Sequence, residues 1–306
     1  MDMAAQEKAS AESAAVAQNE QQSVESAQSE SGDQDAEKSE QSEKSEQAAP
    51  QESEQAAPQE SEPVDTASVN ADEPEDLRWR DADFAVDPNR TDWNYEPNGR
   101  KVVYLTIDDG PSELTQQVLD ILDQYDCKAT FFVTGHDSNY FPMIKEAYNR
   151  GHTIGLHTQT HDYAYLYSSV DAYFEDLNGV GQIVKDQIGY VPCFIRFPGG
   201  SSNTISANYT GGIMTTLVDE VQARGYQYFD WNVSSGDGAD YGTEDIVSMS
   251  TAPNEYDNIV FLMHDSATKQ TTVEALPRII EHYKELGYSF EAIDRSTMVT
   301  HHGVNN

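Results

Sequence analysis

Basic residues are scarce in this 306-residue chain: 18 Lys and Arg stand against 54 Asp and Glu, a formal net charge of −36. That balance argues against a polyanion as direct partner, nucleic acid or anionic membrane alike, because binding phosphates requires cations to displace their counterions. No apolar run approaches the roughly 20 residues of a membrane span, and no secretory leader stands at Met1. A polar segment that begins so abruptly suggests a signal or anchor upstream, with the protein working outside the cytoplasm, at the cell surface or secreted. Cysteine is nearly missing too. Cys127 and Cys193 allow at most one disulfide, neither sits in a metal motif, and spacing leaves a disulfide and two buried thiols equally open.

Aromatics are absent from residues 1–75, where 20 acidic residues meet only 3 Lys. Gln, Ser, Ala and Glu dominate, and the octet Gln47-Ala48-Ala49-Pro50-Gln51-Glu52-Ser53-Glu54 recurs from Gln55 to Glu62. Such a segment has too little apolar surface to offset the entropy of ordering it, so residues 1–76 read as a disordered acidic stalk. Residues 77–98 form a lead-in, 99–295 one large domain, and 296–306, with His301 and His302, a loose tail. About 230 residues can build one sizeable core.

Within that domain short apolar runs alternate with amphipathic ones. Val102 to Ile107, Ala129 to Thr134, Thr153 to His157, Cys193 to Phe197, Tyr226 to Trp231, Asn258 to His264 and Tyr288 to Ile293 read as strands. Leu114-Val118-Ile121-Leu122-Tyr125, Tyr173-Leu177-Val180-Val184, Met214-Leu217-Val218-Val221 and Leu276-Ile279-Ile280-Tyr283 keep helical spacing. The alternation predicts an α/β fold with a mainly parallel sheet and right-handed crossovers, closed or nearly closed into a barrel. In such barrels the C-terminal strand ends carry the chemistry.

Five strings sit at those ends: Thr106-Ile107-Asp108-Asp109-Gly110, His157-Thr158-Gln159-Thr160-His161, Arg196-Phe197-Pro198-Gly199-Gly200, Asp230-Trp231 and Leu262-Met263-His264. A bare Asp-Asp-Gly is ordinarily a solvated turn, and either His alone an ordinary residue. Together they put two carboxylates, three imidazoles and a guanidinium on one rim. Adjacent strand-end aspartates face different sides, so one can ligate a metal while the other takes a proton. His157 and His161, four apart, could share one face of a helical turn and, with an Asp, hold one divalent ion with a coordination position open for water. The set suits Zn²⁺, with Co²⁺ or Ni²⁺ as alternatives. Arg196 can pair with the base carboxylate and keep its pKa low. Gly199 and Gly200 let the backbone approach a substrate, Trp231 and Leu262 could wall a methyl pocket, and His264 could act as general acid with Asp230 orienting its ring. His136 and His152 lack such an arrangement.

Over residues 99–294 these strings resemble, in order, the five motifs of the polysaccharide deacetylases, carbohydrate esterase family 4, which share the NodB homology domain. The resemblance implies a distorted (β/α)7 barrel and metal-dependent removal of acetyl groups from carbohydrates. It implies Asp108 as base, Asp109, His157 and His161 as metal ligands, Arg196 orienting Asp108, and Asp230 tuning His264. It also places the Gly199 N–H at the oxyanion and Trp231 and Leu262 along the acetyl pocket. The third motif usually reads Arg-Pro-Pro-Tyr-Gly; here Phe197 and Gly199 replace two members, which removes an aromatic wall. The runs Arg196 to Asn203 and Asp230 to Asp237 resemble the branch acting on N-acetylglucosamine of bacterial peptidoglycan. Chitooligosaccharide N-deacetylation, acetylxylan O-esterase activity and a non-catalytic glycan-binding module are the alternatives.

Overall fold

The computed structural model describes residues 78–306, so the acidic stalk expected over 1–76 lies outside the described residues. Helix α1 (Arg78–Phe84) leads in. It is followed by β1 (Val102–Asp108), α2 (Thr115–Gln124), β2 (Ala129–Thr134), α3 (Pro142–Asn149), β3 (Thr153–Thr158), the short α4 (Tyr163–Leu166) and α5 (Val170–Ile188). Then come β4 (Phe194–Ile195), a 3₁₀ turn (Ile205–Asn208), α6 (Ile213–Ala223), β5 (Gln227–Tyr228), β6 (Val233–Ser234), α7 (Thr243–Ser250), β7 (Asn258–His264), α8 (Gln270–Glu285) and β8 (Ser289–Phe290).

The predicted strand and helix periods mark most of these elements. Helix α5 shows why: its apolar stripe is buried at Tyr173, Leu177, Val180 and Val184, the Ser169 hydroxyl caps its first turn, and Gly189, at φ 91°, ends it. Helices α1, α3, α4 and α7 and the two-residue strand β6 escape the sequence reading; none is longer than eight residues, which leaves few apolar positions to mark a stripe.

All strand pairs are parallel, in the order β5-β4-β3-β2-β1-β7-β6. Every residue of β1, β2, β3 and β7 is buried, as expected for a parallel sheet covered on both faces. Strand β8 pairs with the start of β1, at Val102 and Val103. The sheet curls into an incomplete barrel. Between β5 and β6 no ladder forms; residues 229–232 cross that gap, with Phe229 N bonded to Ile195 O on one side and Asn232 N to Val260 O on the other.

The two ends of the described chain are packed against this barrel. Arg80 on α1 donates to the carbonyls of Tyr148 and His152 at 3.0 and 3.1 Å, and Phe84 O accepts from Cys193 N. Residues 296–306, expected to be loose, run along the open seam instead. Thr300 O accepts from Asp230 N, the His301 ring stacks on Tyr228 at 3.7 Å, His302 is buried, and Asn306 O accepts from Thr215 N. A seam without a partner strand leaves backbone groups that the tail satisfies. Cys127 and Cys193 are both free and buried. Among the described residues no helix is long and apolar enough to cross a membrane.

Candidate active site

Strands β1 and β7 run in register so that Asp108 lies beside His264 and Thr106 beside Leu262. Parallel partners at one level share a face, so the two polar groups meet at the barrel mouth. Asp108 ends β1 and is 3% exposed; its Oδ1 accepts from Arg196 Nη1 at 2.9 Å. The Arg196 guanidinium is fully buried. It also donates to Thr106 Oγ1 (2.6 Å), Phe229 O (2.8 Å) and Asp230 O (3.2 Å), and packs over the Phe132 and Trp231 rings. Arg196 therefore ties β1 to the segment that bridges the barrel seam. Its charge was expected to keep Asp108 low, but burial outweighs Arg196, His157 and His264 and pushes the Asp108 carboxyl above its usual range.

Asp109 turns away from the strand, at φ 73°. Its Oδ1 is buried with no hydrogen-bond partner and lies 3.6 Å from His157 Nε2 and 3.5 Å from His161 Nε2. The three ligand atoms all fall within 4.8 Å of one another, the one such group of three or more His, Cys, Asp or Glu side chains among the described residues. His157 Nδ1 meets the Arg196 carbonyl at 2.7 Å. A carbonyl only accepts, so Nδ1 carries the proton and Nε2 turns its lone pair towards the carboxylate. Lone pairs converging in a buried site repel unless a cation sits between them, and a carboxylate with two imidazoles suits a divalent transition metal. The site fits such an ion. Burial works against the charge on Asp109, yet His161, His264 and His157 together outweigh it and hold that carboxyl well below the usual range.

The two histidines are not presented by a helical turn. His157 lies within β3 and His161 in the loop beyond it, at φ 52°, because Asp162 caps α4 and so starts the helix only afterwards. The loop is clamped by a residue the sequence reading passed over. Asp176, buried on α5, accepts from Gln159 N (2.5 Å), Thr160 N (3.0 Å) and Thr160 Oγ1 (2.6 Å). Thr158 Oγ1 accepts from His161 N at 2.7 Å. The Gln159 side-chain amide lies where a Cβ on Gly179 would stand, so the bare Gly179 backbone lets that side chain lie against α5. A signal for Asp176 existed: three residues after Tyr173 and four before Val180, it is an acid on the apolar stripe of α5.

At His264 the structure corrects the expected partner. Nδ1 faces Asp237 Oδ1 at 2.8 Å, and the backbone N–H of His264 donates to Asp237 Oδ2 at 2.9 Å. Ser235 Oγ and Thr272 Oγ1 donate to the same carboxylate at 2.6 and 2.9 Å. Burial opposes the Asp237 charge, but His264 and Ser235 overcome it and lower its pKa. Asp230 has no bond to His264. It serves Ser201 and His302 instead, because the chain crosses the seam at Asp230 and returns to the β7 edge only through β6, delivering Asp237. The Ser235-Gly236 turn signal at the end of the Val233-Ser234 pair was its sequence trace.

Trp231 is buried with its ring edge-on to His302 at 4.8 Å, and Leu262 lies two residues before His264 on the same face of β7. Gly199 and Gly200 follow each other at φ 71° and 76° and are buried, so the missing aromatic at 199 leaves no open gap. Asp265, next to His264, accepts from Thr115 Oγ1 at 2.6 Å, and burial pushes its carboxyl up to about 7. Of the remaining histidines, His152 accepts from Ala129 N deep in the fold, and the exposed His136 bonds Thr160 O.

A three-ligand cluster of two buried histidines and a half-buried aspartate, beside a buried carboxylate and an imidazole–carboxylate pair on the C-terminal rim of a parallel barrel, defines a metal-dependent hydrolytic centre. The polysaccharide deacetylase family model matches residues 95–213. A putative polysaccharide deacetylase of Bacillus subtilis is 32% identical over 249 residues, which cover 78% of this chain and 83% of that one. A peptidoglycan-N-acetylglucosamine deacetylase of Bacillus cereus is 34% identical over 204 residues, 63% of this chain and 69% of that one. The crystal structure of the catalytic domain of a peptidoglycan N-acetylglucosamine deacetylase from Eubacterium rectale aligns at a TM-score of 0.67 and 44% identity, over 72% of this chain and 100% of that one. The chain belongs to the polysaccharide deacetylases of carbohydrate esterase family 4, metal-dependent hydrolases built on a curled parallel α/β sheet.

Proposed function

We propose that the protein removes N-acetyl groups from N-acetylglucosamine units of bacterial peptidoglycan, outside the cytoplasm, with Zn²⁺ as its resident ion. The observation that carries this reading is the placement of Asp108 and His264 in register on adjacent strands, beside the Asp109, His157 and His161 cluster. Held by those three residues, a divalent ion would polarise the acetamide carbonyl and make water a stronger acid.

The chain's own groups supply the rest. Asp108 takes a proton from the attacking water; burial, by raising its pKa, makes it a stronger base. Arg196 holds the Asp108 carboxylate in one orientation. The Gly199 N–H serves the developing oxyanion, a kind of donor worth about 3 kcal/mol in other enzymes. His264 gives a proton to the departing amine, so the C–N bond breaks to acetate and a free glucosamine nitrogen. Asp237 fixes the His264 ring and stabilises its charged form. Trp231 and Leu262 bound the apolar side where the methyl group would lie. The acidic surface suits a neutral glycan, with neither nucleic acid nor membrane in direct contact.

Acetate release from purified peptidoglycan, with and without a chelator and with Zn²⁺ or Co²⁺ added back, tests the reading. Release abolished by chelation and restored by metal is the expected result. Release from acetylated xylan or chitin oligomers but not from peptidoglycan would overturn the substrate, and release indifferent to chelation would overturn the metal.

A further inference from the structure

Asp230 has no part in the chemistry above, and neither has the chain end that reaches it. Asp230 is fully buried. Its Oδ1 accepts from Ser201 N at 2.8 Å, and its Oδ2 accepts from Ser201 Oγ at 2.5 Å and from His302 N at 2.8 Å. His302 Nε2 meets Trp231 O at 2.7 Å, so that nitrogen carries the proton and Nδ1 accepts from Ser202 Oγ at 3.2 Å. Asn305 Nδ2 donates to Ser202 O and Asn306 Nδ2 to Ser206 Oγ. The tail thus grips both the segment 230–231 and the loop 197–203, which lie about thirty residues apart in sequence but side by side at the seam.

We infer that the C-terminal segment, acting through His302 and Asp230, is a strap that positions the active-site loop Phe197–Asn203. The inference rests on the deacetylase reading, in which that loop presents the Gly199 amide. Two consecutive glycines at positive φ make the loop intrinsically free, and fixing such backbone costs about 1–2 kcal/mol per residue. Strand β4, which leads into it, holds only two laddered residues. Two turn bonds, Gly200 N to Phe197 O and Asn203 N to Gly200 O, and the Tyr167 hydroxyl on Pro198 O hold the loop's shape, and the buried Asp230 carboxylate joins it to the tail through three donors. A burial so complete tolerates a charge only while those donors stay in place, so the tail and the loop are ordered together. Because the Gly199 donor acts on charge that develops in the transition state, loosening it lowers kcat while leaving KM nearly unchanged. Asp109 follows β1 and His161 lies in the loop after β3; His157, on β3, meets the Arg196 carbonyl, one residue before the strapped loop, and is held chiefly by its own strand.

The test uses the full chain, a truncation ending at His301, and the point variants His302→Ala and Ser202→Ala. Three quantities are measured: acetate release from peptidoglycan at saturating Zn²⁺, Zn²⁺ affinity of the apoprotein by calorimetry, and hydrogen exchange over residues 197–203. The truncation is expected to lower kcat by about 10-fold or more and His302→Ala by about 3-fold, with KM and Zn²⁺ affinity within about 2-fold and faster exchange in the loop. Unchanged kcat and unchanged exchange would overturn the strap, as would a loss of Zn²⁺ affinity in step with activity. The point variants carry the test should the truncated chain fail to fold. A wild type that releases no acetate fails the deacetylase reading alone, and loop exchange then still decides the strap.

Discussion

The two halves of the rim are built differently. Strands β1, β2, β3 and β7 are six or seven residues long, whereas β4, β5 and β6 have two. On the long-strand side, backbone pairing sets Asp108 and His264, His157 stands at a register shift between β2 and β3, and two buried side chains, Asp176 and Thr158, finish the metal loop. On the short-strand side, backbone pairing does little. Arg196, Asp230, Asp237 and the C-terminal segment hold the loops by side-chain bonds across the seam. The lesson is that a parallel barrel can give up strand length where it needs loops, provided buried polar groups take over from the missing ladder bonds.

The largest break in this comparison comes from the ligands. Asp109→Ala should lower metal affinity by more than about 100-fold and abolish turnover, whereas Asp108→Asn should bind metal normally and lose about 100- to 10,000-fold in kcat. Calorimetry beside acetate release separates them. Next, Asp237→Asn should cost on the order of 100-fold in kcat by misorienting His264, well above the effect of Asp230→Asn. Equal losses would mean that His264 does not depend on the contact seen with Asp237. A smaller effect belongs to Asp176→Asn, which gives up one acceptor on the loop between the two histidines. Metal affinity should fall about 10-fold with secondary structure kept, and an unchanged affinity would show that the β3 ladder alone sets the loop.

The last effect is on stability and leaves the chemistry untouched. Burial depresses His152 to about 3, against about 6.5 in the unfolded chain. Between those values the unfolded state binds a proton that the native state refuses. Stability is therefore full above about pH 6.5 and falls as pH drops towards 3, by at most about 1.4 kcal/mol per unit. Denaturant melts of wild type and His152→Asn at pH 7 and pH 4.5 check this: the wild type should lose more stability on acidification than the variant.

Much of the site could be read before any fold was seen. Asp108, Asp109, His157, Arg196 and His264 stand at the ends of apolar runs, and the period that marks a strand also marks where its end must face. The reading failed where an element was too short to leave a period. Val233-Ser234 is two residues long, so the chain's return to the β7 edge was invisible, and Asp230 stood in for Asp237. The spacing of His157 and His161 suggests a shared helical turn, but Asp162 starts that helix later. The tail reads as loose because it is neither apolar nor periodic; its order comes from partners some 70 to 100 residues away and, at Ser296 and Val299, from Asn94 at the other end of the described chain.

The amino-acid order alone decided which chemical groups stand on the rim and that a parallel α/β sheet carries them, since both follow from local periodicity and strand-end position. Which carboxylate meets which imidazole, how the metal loop is clamped, and what fills the seam were decided by the tertiary structure. Those choices depend on where the chain crosses an unladdered gap, and buried donors and acceptors must find whichever partners that crossing brings within hydrogen-bond reach.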